Sequence, residues 1–536
     1  MNYNVEIHNS TIHDGNITLE KSDNFTIFTS ERINRKRHSN DIDKLYSFFI
    51  NNTNSKYSID KRVLKYKPFQ KIHHHLAHAS CSFFCSPFKS SAIMIIDGMG
   101  PYRNNKFAST SLWIGEGCNL KLLYINSEPL FCYNSIGHFY SSITYYCGFW
   151  AWEEGKTMGL ASLGEKSSIH NNMCGIVKLL PNGEYWINPD FIGFCFSLRY
   201  KDNPIFKKYR IHYEYYKKQY QSMFGPIRKR NSKIEINHKN LAWSAQNLLE
   251  KLVLHISEYL YNVTRQKKLC IGGGVGLNCV ANSKLFKQGL FNEIFIPPNC
   301  GDDGQSLGKL LYKKHVIQKQ KKSWCLTNAY LGPRYRFEQI VQSLRKYSDK
   351  IKYVKQTDSE FLKKVVRLII DGNVIGFFQG RSEIGPRALG HRSILADPRD
   401  KSIKDYINSK IKHRENFRPF APSILNEYKK DYFHIDNESP FMLFTAKAKP
   451  LAIKKIPSVV HFDNTSRIQT VTKQENGIFY DLISEFNKLT GVPVLLNTSF
   501  NDSGEPIVET PEDAINTFLN LELDALILDK FIIFKI

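Results

Sequence analysis

The sequence lacks three features that would each indicate a particular class of protein. No stretch approaches the roughly 20 apolar residues that a membrane-spanning helix needs. The first residues, MNYNVEIHNSTIHDG, contain no basic segment followed by an apolar run, so no secretory signal is predicted. No C-x-x-C pair occurs among the 11 cysteines, which argues against a zinc knuckle. We therefore expect a cytoplasmic protein with no membrane partner, whose cysteines are reduced and mostly buried.

Acidic residues are also scarce relative to basic ones. The 536 residues include 74 lysines and arginines against 50 acidic residues, a formal charge of +24. Residues 201–240 are the most basic stretch, with eleven lysines and arginines, three acids and seven interleaved aromatics. Such a stretch could hold a phosphate-bearing acceptor or RNA, and it could equally be a solvated insertion in a chain rich in lysine throughout. Arg228 is our candidate from this stretch for contact with an acceptor.

Apolar runs that end in glycine or aspartate alternate with helical patterns along the chain. The runs include SAIMIIDGMG, KKLCIGGGVG, VIGFFQGRSE and PVLLNTSF, and LAWSAQNLLEKLVLHISEYLY is a clear helical pattern. This alternation predicts an α/β fold. A chain of this length is expected to form more than one domain. The polar segment VIQKQKKSWCLTNAYLGPRY is the best boundary, so we predict domains 1–325 and 326–536.

The first domain contains histidines and carboxylates with the spacing of a metal site. In HHHLAHAS, His74 and His78 are four residues apart, which places them on one face of a helix. Asp97 follows an apolar strand, and the GDDG turn offers Asp302 or Asp303 before a second helix. Two histidines with carboxylates from strand ends suit Fe(II) or another divalent metal with open positions.

Two glycine-rich segments lie in the same domain, GGGVGLN at 272–278 and EGKTMGLA at 154–161. Glycines after an apolar strand let backbone N–H groups approach a nucleotide, and the start of a following helix favours phosphate. Neither segment is a Walker A loop or a dinucleotide fingerprint. Each taken alone is also explained by a tight turn from strand to helix.

The second domain contains arginines among glycines and prolines. QGRSEIGPRALGHRSILADPR carries Arg381, Arg387, Arg392 and Arg399, and KHRENFRPFAPS adds Lys412, Arg414 and Arg418. TSRIQTV supplies Arg467, and LLNTSFN supplies Asn497 and Ser499 at a strand end. Guanidinium groups bind phosphate with two parallel hydrogen bonds. Rigid flanking residues at several separate sites favour an anion-binding site over scattered surface arginines.

These motifs, in this order, resemble the O-carbamoyltransferases of nodulation-factor and antibiotic biosynthesis. The resemblance runs from about residue 70 to the end of the chain. It implies an N-terminal actin-like domain, a duplicated ribonuclease H-like ATPase-type fold similar to that of the tRNA threonylcarbamoyl-transferring enzyme. It also implies a C-terminal YrdC-like α/β domain that adenylates a carbamoyl group.

The resemblance also implies roles for particular residues. Iron or another divalent metal would be bound by His74, His78, Asp97 and Asp302. The nucleotide would lie along Glu154, Gly155, Lys156, Gly272, Gly273, Gly274, Gly276 and Asn278. Carbamoyl phosphate and the phosphates of ATP, a co-substrate with Mg, would be held by Arg387, Arg392, Arg418, Arg467, Asn497 and Ser499. His8, with His13 as the alternative, would be the base that takes the proton of the acceptor.

The expected function is that of an enzyme, a transferase of one-carbon groups. It would form carbamoyl-adenylate from carbamoyl phosphate and ATP, then transfer the carbamoyl group to a hydroxyl of a sugar, nucleoside or natural product. One alternative is a tRNA threonylcarbamoyl-type modification protein, against which the fused C-terminal domain argues. A second alternative is a binding protein that has lost catalysis, against which the intact metal and arginine sets argue.

Overall fold

The structure is a computed structural model that describes residues 4–8, 14–53, 72–356 and 358–536. The described strands are β1 Asn4–His8, β2 Asn16–Lys21, β3 Asn24–Thr29, β4 Ser90–Pro101, β5 Lys106–Glu116, β6 Asn119–Pro129, β7 Val177–Leu179, β8 Tyr185–Ile187, β9 Lys268–Gly272, β10 Glu293–Phe295, β11 Ile351–Lys355, β12 Ile375–Phe378, β13 Arg392–Ala396, β14 Ala421–Leu425, β15 Phe433–His434, β16 Thr445–Ala448, β17 Thr465–Arg467, β18 Gln469–Val471, β19 Val494–Ser499, β20 Ala525–Leu528 and β21 Phe531–Lys535.

The described α-helices are α1 Ser30–Asn34, α2 Ile42–Thr53, α3 His74–Cys85, α4 Ile136–Tyr146, α5 Glu154–Ala161, α6 Ser168–Cys174, α7 Pro189–Arg199, α8 Lys207–Ile211, α9 Tyr213–Phe224, α10 Ile236–Thr264, α11 Cys279–Lys287, α12 Gln305–Leu311, α13 Phe337–Lys346, α14 Asp358–Ile370, α15 Ile403–Tyr406, α16 Lys429–Tyr432, α17 Pro450–Lys455, α18 Gly477–Thr490 and α19 Pro511–Asn520. Among these helices, none combines the length and the apolar character that crossing a membrane requires. The mixed α/β class that the sequence predicts is confirmed.

The chain folds into two compact units. One is Lys67–Cys325; the other joins Leu326–Ile536 to the described part of Met1–Tyr66. The boundary after residue 325 lies where the sequence predicts it. The predicted N-terminal domain differs from the structure in one respect, because the described residues before 67 belong to the other unit.

Hydrogen bonds explain why the N-terminal residues belong with the second unit. The N–H of Ile27, in β3, donates to the carbonyl of Leu331, and the guanidinium of Arg381 donates to the carbonyl of Phe25. The buried Arg32 of α1 donates to the carbonyl of Gly385. Main-chain groups of a short three-stranded sheet must find partners, and here those partners come from residues after 325.

The unit of residues 67–325 is built on a five-stranded sheet of order β10-β9-β4-β5-β6. Strands β4, β9 and β10 pair in parallel, and β4, β5 and β6 form an antiparallel meander. The inner strands β4 and β9 are buried almost throughout, which explains why SAIMII and LCIG read as continuous apolar runs. The pairing of β4 with β5 shifts register between Ile96 and Gly100, and this irregularity falls at Asp97.

Helix α10 is the longest described helix of this unit, with 29 residues. Its buried positions recur at three- and four-residue spacing, as in Leu241, Ala245, Leu248 and Leu252, so one face packs into the core. A reciprocal capping box between Glu235 and His238 starts it, and a left-handed residue ends it. The helical pattern read from the sequence is therefore found in the structure.

The second unit contains an eight-stranded sheet of order β11-β21-β20-β12-β13-β19-β14-β18. Its core joins inner strand residues such as Phe377 and Leu495 to Val365 of α14 and Phe479 of α18. Strand β13 is antiparallel to both of its neighbours, β12 and β19. The loop between β12 and β13 carries most of the predicted arginine motif, and β19 carries Asn497 and Ser499.

Candidate metal and anion sites

Helix α3 positions the two predicted histidine ligands. The N-cap residue His73 starts the helix, because its side chain accepts a hydrogen bond from the N–H of Leu76. His74 and His78 follow on one face, with their Nε2 atoms 3.0 Å apart. His75 points elsewhere, because both of its ring nitrogens are hydrogen-bonded, to Ser111 and to the carbonyl of Ala108. Two of the three consecutive histidines therefore have other functions.

Two carboxylates complete a compact cluster with these histidines. An Oδ2 atom of Asp97 lies 2.9 Å from Nε2 of His74, and Oδ1 of Asp302 lies 3.2 Å from the same atom. Oδ1 of Asp302 also lies 3.3 Å from Nε2 of His78. One ligand atom from each of the four residues lies within 4.8 Å of every other. The structure thus brings together all four residues of the predicted set, with Asp302 rather than Asp303.

The electrostatics of the cluster favour a bound positive charge. Burial alone would lower the pKa of His74, but the carboxylates of Asp302 and Asp97 raise it to about 10. The pKa of Asp97 lies well below its usual value; burial opposes this shift, and the hydrogen bonds from His74 and His78 produce it. Imidazole nitrogens and carboxylate oxygens so close together fit a divalent transition metal.

The first glycine-rich segment supports the same cluster. Gly273 has a φ of +86°, and a Cβ there would lie 2.3 Å from the carbonyl oxygen of Ile96, so only glycine fits. The N–H of Gly274 donates to Oδ1 of Asp97 over 3.0 Å. A backbone donor that fixes a ligand carboxylate is a common second layer of a metal site. Gly272 ends β9, and Gly276 lies in the following turn against Cys300.

Asn278, predicted to bind nucleotide, is occupied by protein partners. Its Oδ1 accepts from the N–H of Ala281 and from Gln246, and its Nδ2 donates to Gln246. The side chain therefore caps α11 and ties that helix to α10. The structure gives Asn278 a structural function.

The second glycine-rich segment forms α5, and it lies beside the first. Sγ of Cys279, the first residue of α11, is 3.8 Å from Sδ of Met158 in α5. Glu154 accepts a hydrogen bond from Ser141 over 2.6 Å, and Nζ of Lys156 lies 2.8 Å from Oε1 of Glu153. A Cβ on Gly155 would meet nothing within 4 Å, so the first turn of α5 has open space beside it.

In the second unit, cations gather around the KHRENFRPF segment. Burial lowers the pKa of Arg414 far below its usual value, and the charges of Arg418 and Arg467 lower it further. Lys412 is buried, and its Nζ donates to the carbonyls of Ser499 and Asn501. Ser499 in turn donates to Oδ1 of Asn501. Half-buried cations packed together repel one another unless an anion lies between them, which fits phosphate binding.

Three members of this cationic group lie outside the set of residues predicted to bind phosphate. Lys412 and Arg414 belong to the KHRENFRPF motif, so the sequence carries a signal for them. Arg37 comes from the N-terminal residues, and its charge lowers the pKa of both, although burial is the larger cause. Its Nε donates to the carbonyl of Glu505 over 2.9 Å. No spacing in the sequence indicates this approach.

Asn497 contacts the backbone next to Arg387, at the carbonyl of Ala388. Nδ2 of Asn497 donates to the carbonyl of Ala388, and also to Ser423 and Gln469. Its Oδ1 is buried and has no hydrogen-bond partner among the described residues. An unpaired buried amide oxygen at a strand end marks a place where a donor from a ligand would fit.

The surroundings of Arg392 favour a structural role over the predicted anion binding. Its guanidinium donates to the carbonyls of Gln379 and Gly380, and its Cζ lies 3.5 Å from the centre of the Phe378 ring. The side chain is 0% exposed, and Oε1 of Glu509 lies 3.9 Å from it. The loop between β12 and β13 wraps around this cation, so it stabilises the core. Two other arginines of the motif bind protein as well: Arg381 donates to backbone carbonyls, and Arg399 pairs with Asp397.

His8 and Arg228 have separate surroundings. His8 is the buried last residue of β1, opposite Asn16, in the unit with residues 326–536. The alternative base, His13, lies outside the described residues. Arg228 donates to the carbonyls of Cys147 and Ser232, so much of its hydrogen-bonding capacity is used within the protein.

The aromatics of the basic stretch are mostly core residues. Five of its seven are buried: Phe206, Tyr209, Tyr216, Tyr220 and Phe224. Tyr216 and Tyr220 stack on each other, as do Tyr220 and Phe224. Rings packed against rings cannot stack on bases, so these five give no support to the nucleic-acid interpretation, and Tyr215, at 66%, is the exposed ring that remains available.

Comparison with known proteins covers both halves of the chain. The sequence matches the family models Carbamoyltransferase N-terminus over residues 39–311 and Carbamoyltransferase C-terminus over residues 366–535. Nodulation protein NolO of Bradyrhizobium diazoefficiens is 33% identical over 468 residues, 87% of this chain and 79% of that protein. Nodulation protein NolNO of Sinorhizobium fredii is 36% identical over 468 residues, 87% of this chain and 64% of that protein.

Among solved structures, the crystal structure of T. kodakarensis HypF covers 58% of this chain and 48% of its own, with 11% identity and a TM-score of 0.30. A TM-score of that size supports no statement about the fold. The family models and the relatives carry the assignment instead. Because the N-terminal and C-terminal family models match the two halves of the chain in that order, the chain belongs to the carbamoyltransferase family and is a transferase enzyme.

Proposed function

We propose that the chain is an ATP-dependent O-carbamoyltransferase that works through carbamoyl-adenylate, with an N-terminal actin-like and a C-terminal YrdC-like part. The observation that carries the proposal is that two chemically different sites occur in one chain of this family. One is the imidazole and carboxylate cluster around His74, and the other is the half-buried cation group around Arg414. A phosphate-bearing substrate suits the second, and a group-transfer centre suits the first.

In the first half-reaction, the cations of the second unit would hold carbamoyl phosphate and the phosphates of ATP. Water cleaves the bond between the carbamoyl carbon and the phosphate oxygen, which releases phosphate and carbamate. An oxygen of carbamate then attacks the α-phosphorus of ATP, and pyrophosphate leaves. Arg418 and Arg467 would stabilise the charge that develops on the phosphates, with Lys412 and Arg414 beside them.

In the second half-reaction, the acceptor hydroxyl attacks the carbamoyl carbon and AMP leaves with the bridging oxygen. A divalent metal held by His74, His78, Asp97 and Asp302 would supply Lewis-acid chemistry at this point. Gly274 would keep Asp97 oriented through its N–H. The glycine-rich segments at 272–276 and 154–156 would hold the nucleotide part of the intermediate. His8 remains the candidate for the base that takes the hydroxyl proton.

The test is pyrophosphate release by the full chain with ATP, with and without carbamoyl phosphate. Release that depends on carbamoyl phosphate, followed by label transfer from carbamoyl phosphate to a hydroxyl acceptor, is the expected result. His78→Ala should stop the transfer and leave pyrophosphate release in place, with the exposed His212→Ala as the matched control. Pyrophosphate release at the same rate with and without carbamoyl phosphate would contradict the proposed mechanism.

A further inference from the structure

Two arginines stand over one tryptophan in the unit of residues 67–325. Cζ of Arg199, at the end of α7, lies 3.0 Å from the centre of the Trp150 ring, and Cζ of Arg230 lies 4.2 Å from it. Guanidinium planes stack on indole rings and keep their N–H edges available for other acceptors. We name Trp150, Arg199 and Arg230 the arginine–tryptophan patch.

The charges of this patch are not balanced by the protein. Neither arginine has an ion pair within the part of the chain that the structure describes. Glu153 is the carboxylate that acts on Arg199, and it already pairs with Lys156 and accepts from the N–H of Trp150. Burial lowers the pKa of Arg199, and the charge of Arg230 adds to that. The half-buried Arg199 and the exposed Arg230 thus place two like charges on one ring.

The tryptophan adds a second sign of a missing partner. Its indole Nε1 is buried and has no hydrogen-bond partner among the described residues. Buried indole N–H groups almost always donate to something. Beside the patch, Arg228 lies 5.3 Å and Lys156 5.6 Å from the centre of the Phe149 ring, so further cations face the same loop. Trp152, 43% exposed, offers an apolar ring surface nearby in the chain.

The patch is connected to the metal-type cluster by packed residues. Gly137 of α4 is so close to Asp97 that a Cβ there would lie 2.7 Å from the Asp97 carbonyl oxygen. The next residue, His138, packs against Phe196 of α7 with ring centres 4.7 Å apart. Arg199 follows Phe196 by one helical turn, a rise of about 5 Å. The packing of α4 against α7 thus joins the patch to the Asp97 side of the cluster.

We infer that the arginine–tryptophan patch binds a phosphate group of the carbamoyl acceptor, so that the natural acceptor is a phosphorylated sugar derivative. This inference rests on the proposed function for the identity of the bound molecule as an acceptor. The two guanidinium groups and the indole N–H are all donors, which suits phosphate and repels the ammonium groups of an amino sugar. Specificity for an anionic acceptor then comes from residues remote from the reacting hydroxyl.

The test compares three ligands that differ in charge. Binding of glucose 6-phosphate, glucose and glucosamine to the full-length protein is followed by tryptophan fluorescence. Glucose 6-phosphate should bind at least about tenfold more tightly than either of the others, as expected for charge-assisted hydrogen bonds. Arg199→Gln and Arg230→Gln should each remove most of that preference. Lys233→Gln, in the same basic stretch and 86% exposed, is the control and should bind like the wild type.

Three results would overturn the inference. The first is equal binding of glucose 6-phosphate and glucose; the second is wild-type preference in both arginine variants. The third is transfer RNA binding that the arginine variants weaken and that displaces glucose 6-phosphate, since it would assign the patch to a macromolecule. Pyrophosphate release by the wild-type protein is measured separately. If no pyrophosphate is released, the proposed function is refuted. The preference for glucose 6-phosphate over glucose then still decides whether the patch binds phosphate.

Discussion

The two units of this chain use their charged residues in different ways. In the unit of residues 67–325, His74, His78, Asp97 and Asp302 converge on one point. In the other unit, the predicted arginines divide: Arg418 and Arg467 join a cation group, and Arg392 enters the core. An imidazole and carboxylate cluster has few structural uses, whereas a guanidinium with five donors is readily satisfied by backbone carbonyls. In this chain the histidine spacing therefore predicts a compact cluster better than the abundance of arginines does.

The largest expected effect concerns the histidine cluster. His78→Ala should lower metal content and carbamoyl transfer by at least about 100-fold, because even residues that only orient a metal ligand contribute 10- to 100-fold. Metal analysis of the purified protein and label transfer from carbamoyl phosphate measure this. Unchanged metal content and unchanged transfer would show that the four residues form only a structural ion network. The exposed His212→Ala serves as the control.

The core position of Arg392 predicts a loss of stability. Arg392→Ala should lower the free energy of unfolding by about 3–5 kcal/mol, because it leaves the buried Glu509 without this cation and the carbonyls of Gln379 and Gly380 without their donors. Denaturant unfolding gives the value, and the exposed Arg345→Ala should change it little. A stable variant that requires much more carbamoyl phosphate would instead restore the original assignment of Arg392 as an anion ligand.

Substitution of Arg418, in contrast to Arg392, should affect substrate binding more than stability. Arg418→Ala should raise the carbamoyl phosphate concentration needed for half-maximal pyrophosphate release by about 10- to 150-fold, since a charge-assisted hydrogen bond is worth about 1.5–3 kcal/mol. Unfolding should change less than for Arg392→Ala, because removing one member of a like-charged group also relieves repulsion. An unchanged dependence on carbamoyl phosphate would remove Arg418 from the site.

The smallest expected effect concerns Asn278. Asn278→Ala should lower the free energy of unfolding by at least about 1 kcal/mol, because the cap of α11 and both hydrogen bonds to Gln246 are lost. Asn278→Asp keeps an oxygen acceptor for the N–H of Ala281 and should restore the cap, although it loses the donor to Oε1 of Gln246. Nucleotide binding measured by calorimetry separates the two interpretations. A large loss of nucleotide affinity in both variants, with little change in unfolding, would return Asn278 to the nucleotide site.

Local patterns made much of the first unit predictable. The four-residue spacing of His74 and His78, the apolar run before Asp97 and the glycines after β9 all describe segments whose geometry depends on near neighbours in the chain. Helix α10 is predictable for the same reason. The seven aromatics of the basic stretch are different, because a buried ring and a base-stacking ring have the same local sequence.

The amino-acid sequence by itself determined the α/β class, the family, the boundary after residue 325 and the candidates for the histidine cluster. Periodicity, glycine position and motif order are properties of short segments, and they survive without knowledge of the fold. Only the tertiary structure decided that the N-terminal residues belong with the second unit, that Asp302 rather than Asp303 joins the cluster, and that Arg392 is a core cation. These choices depend on which groups distant in sequence meet in space, and the energies of burial and hydrogen bonding that decide them exist only once the chain has folded.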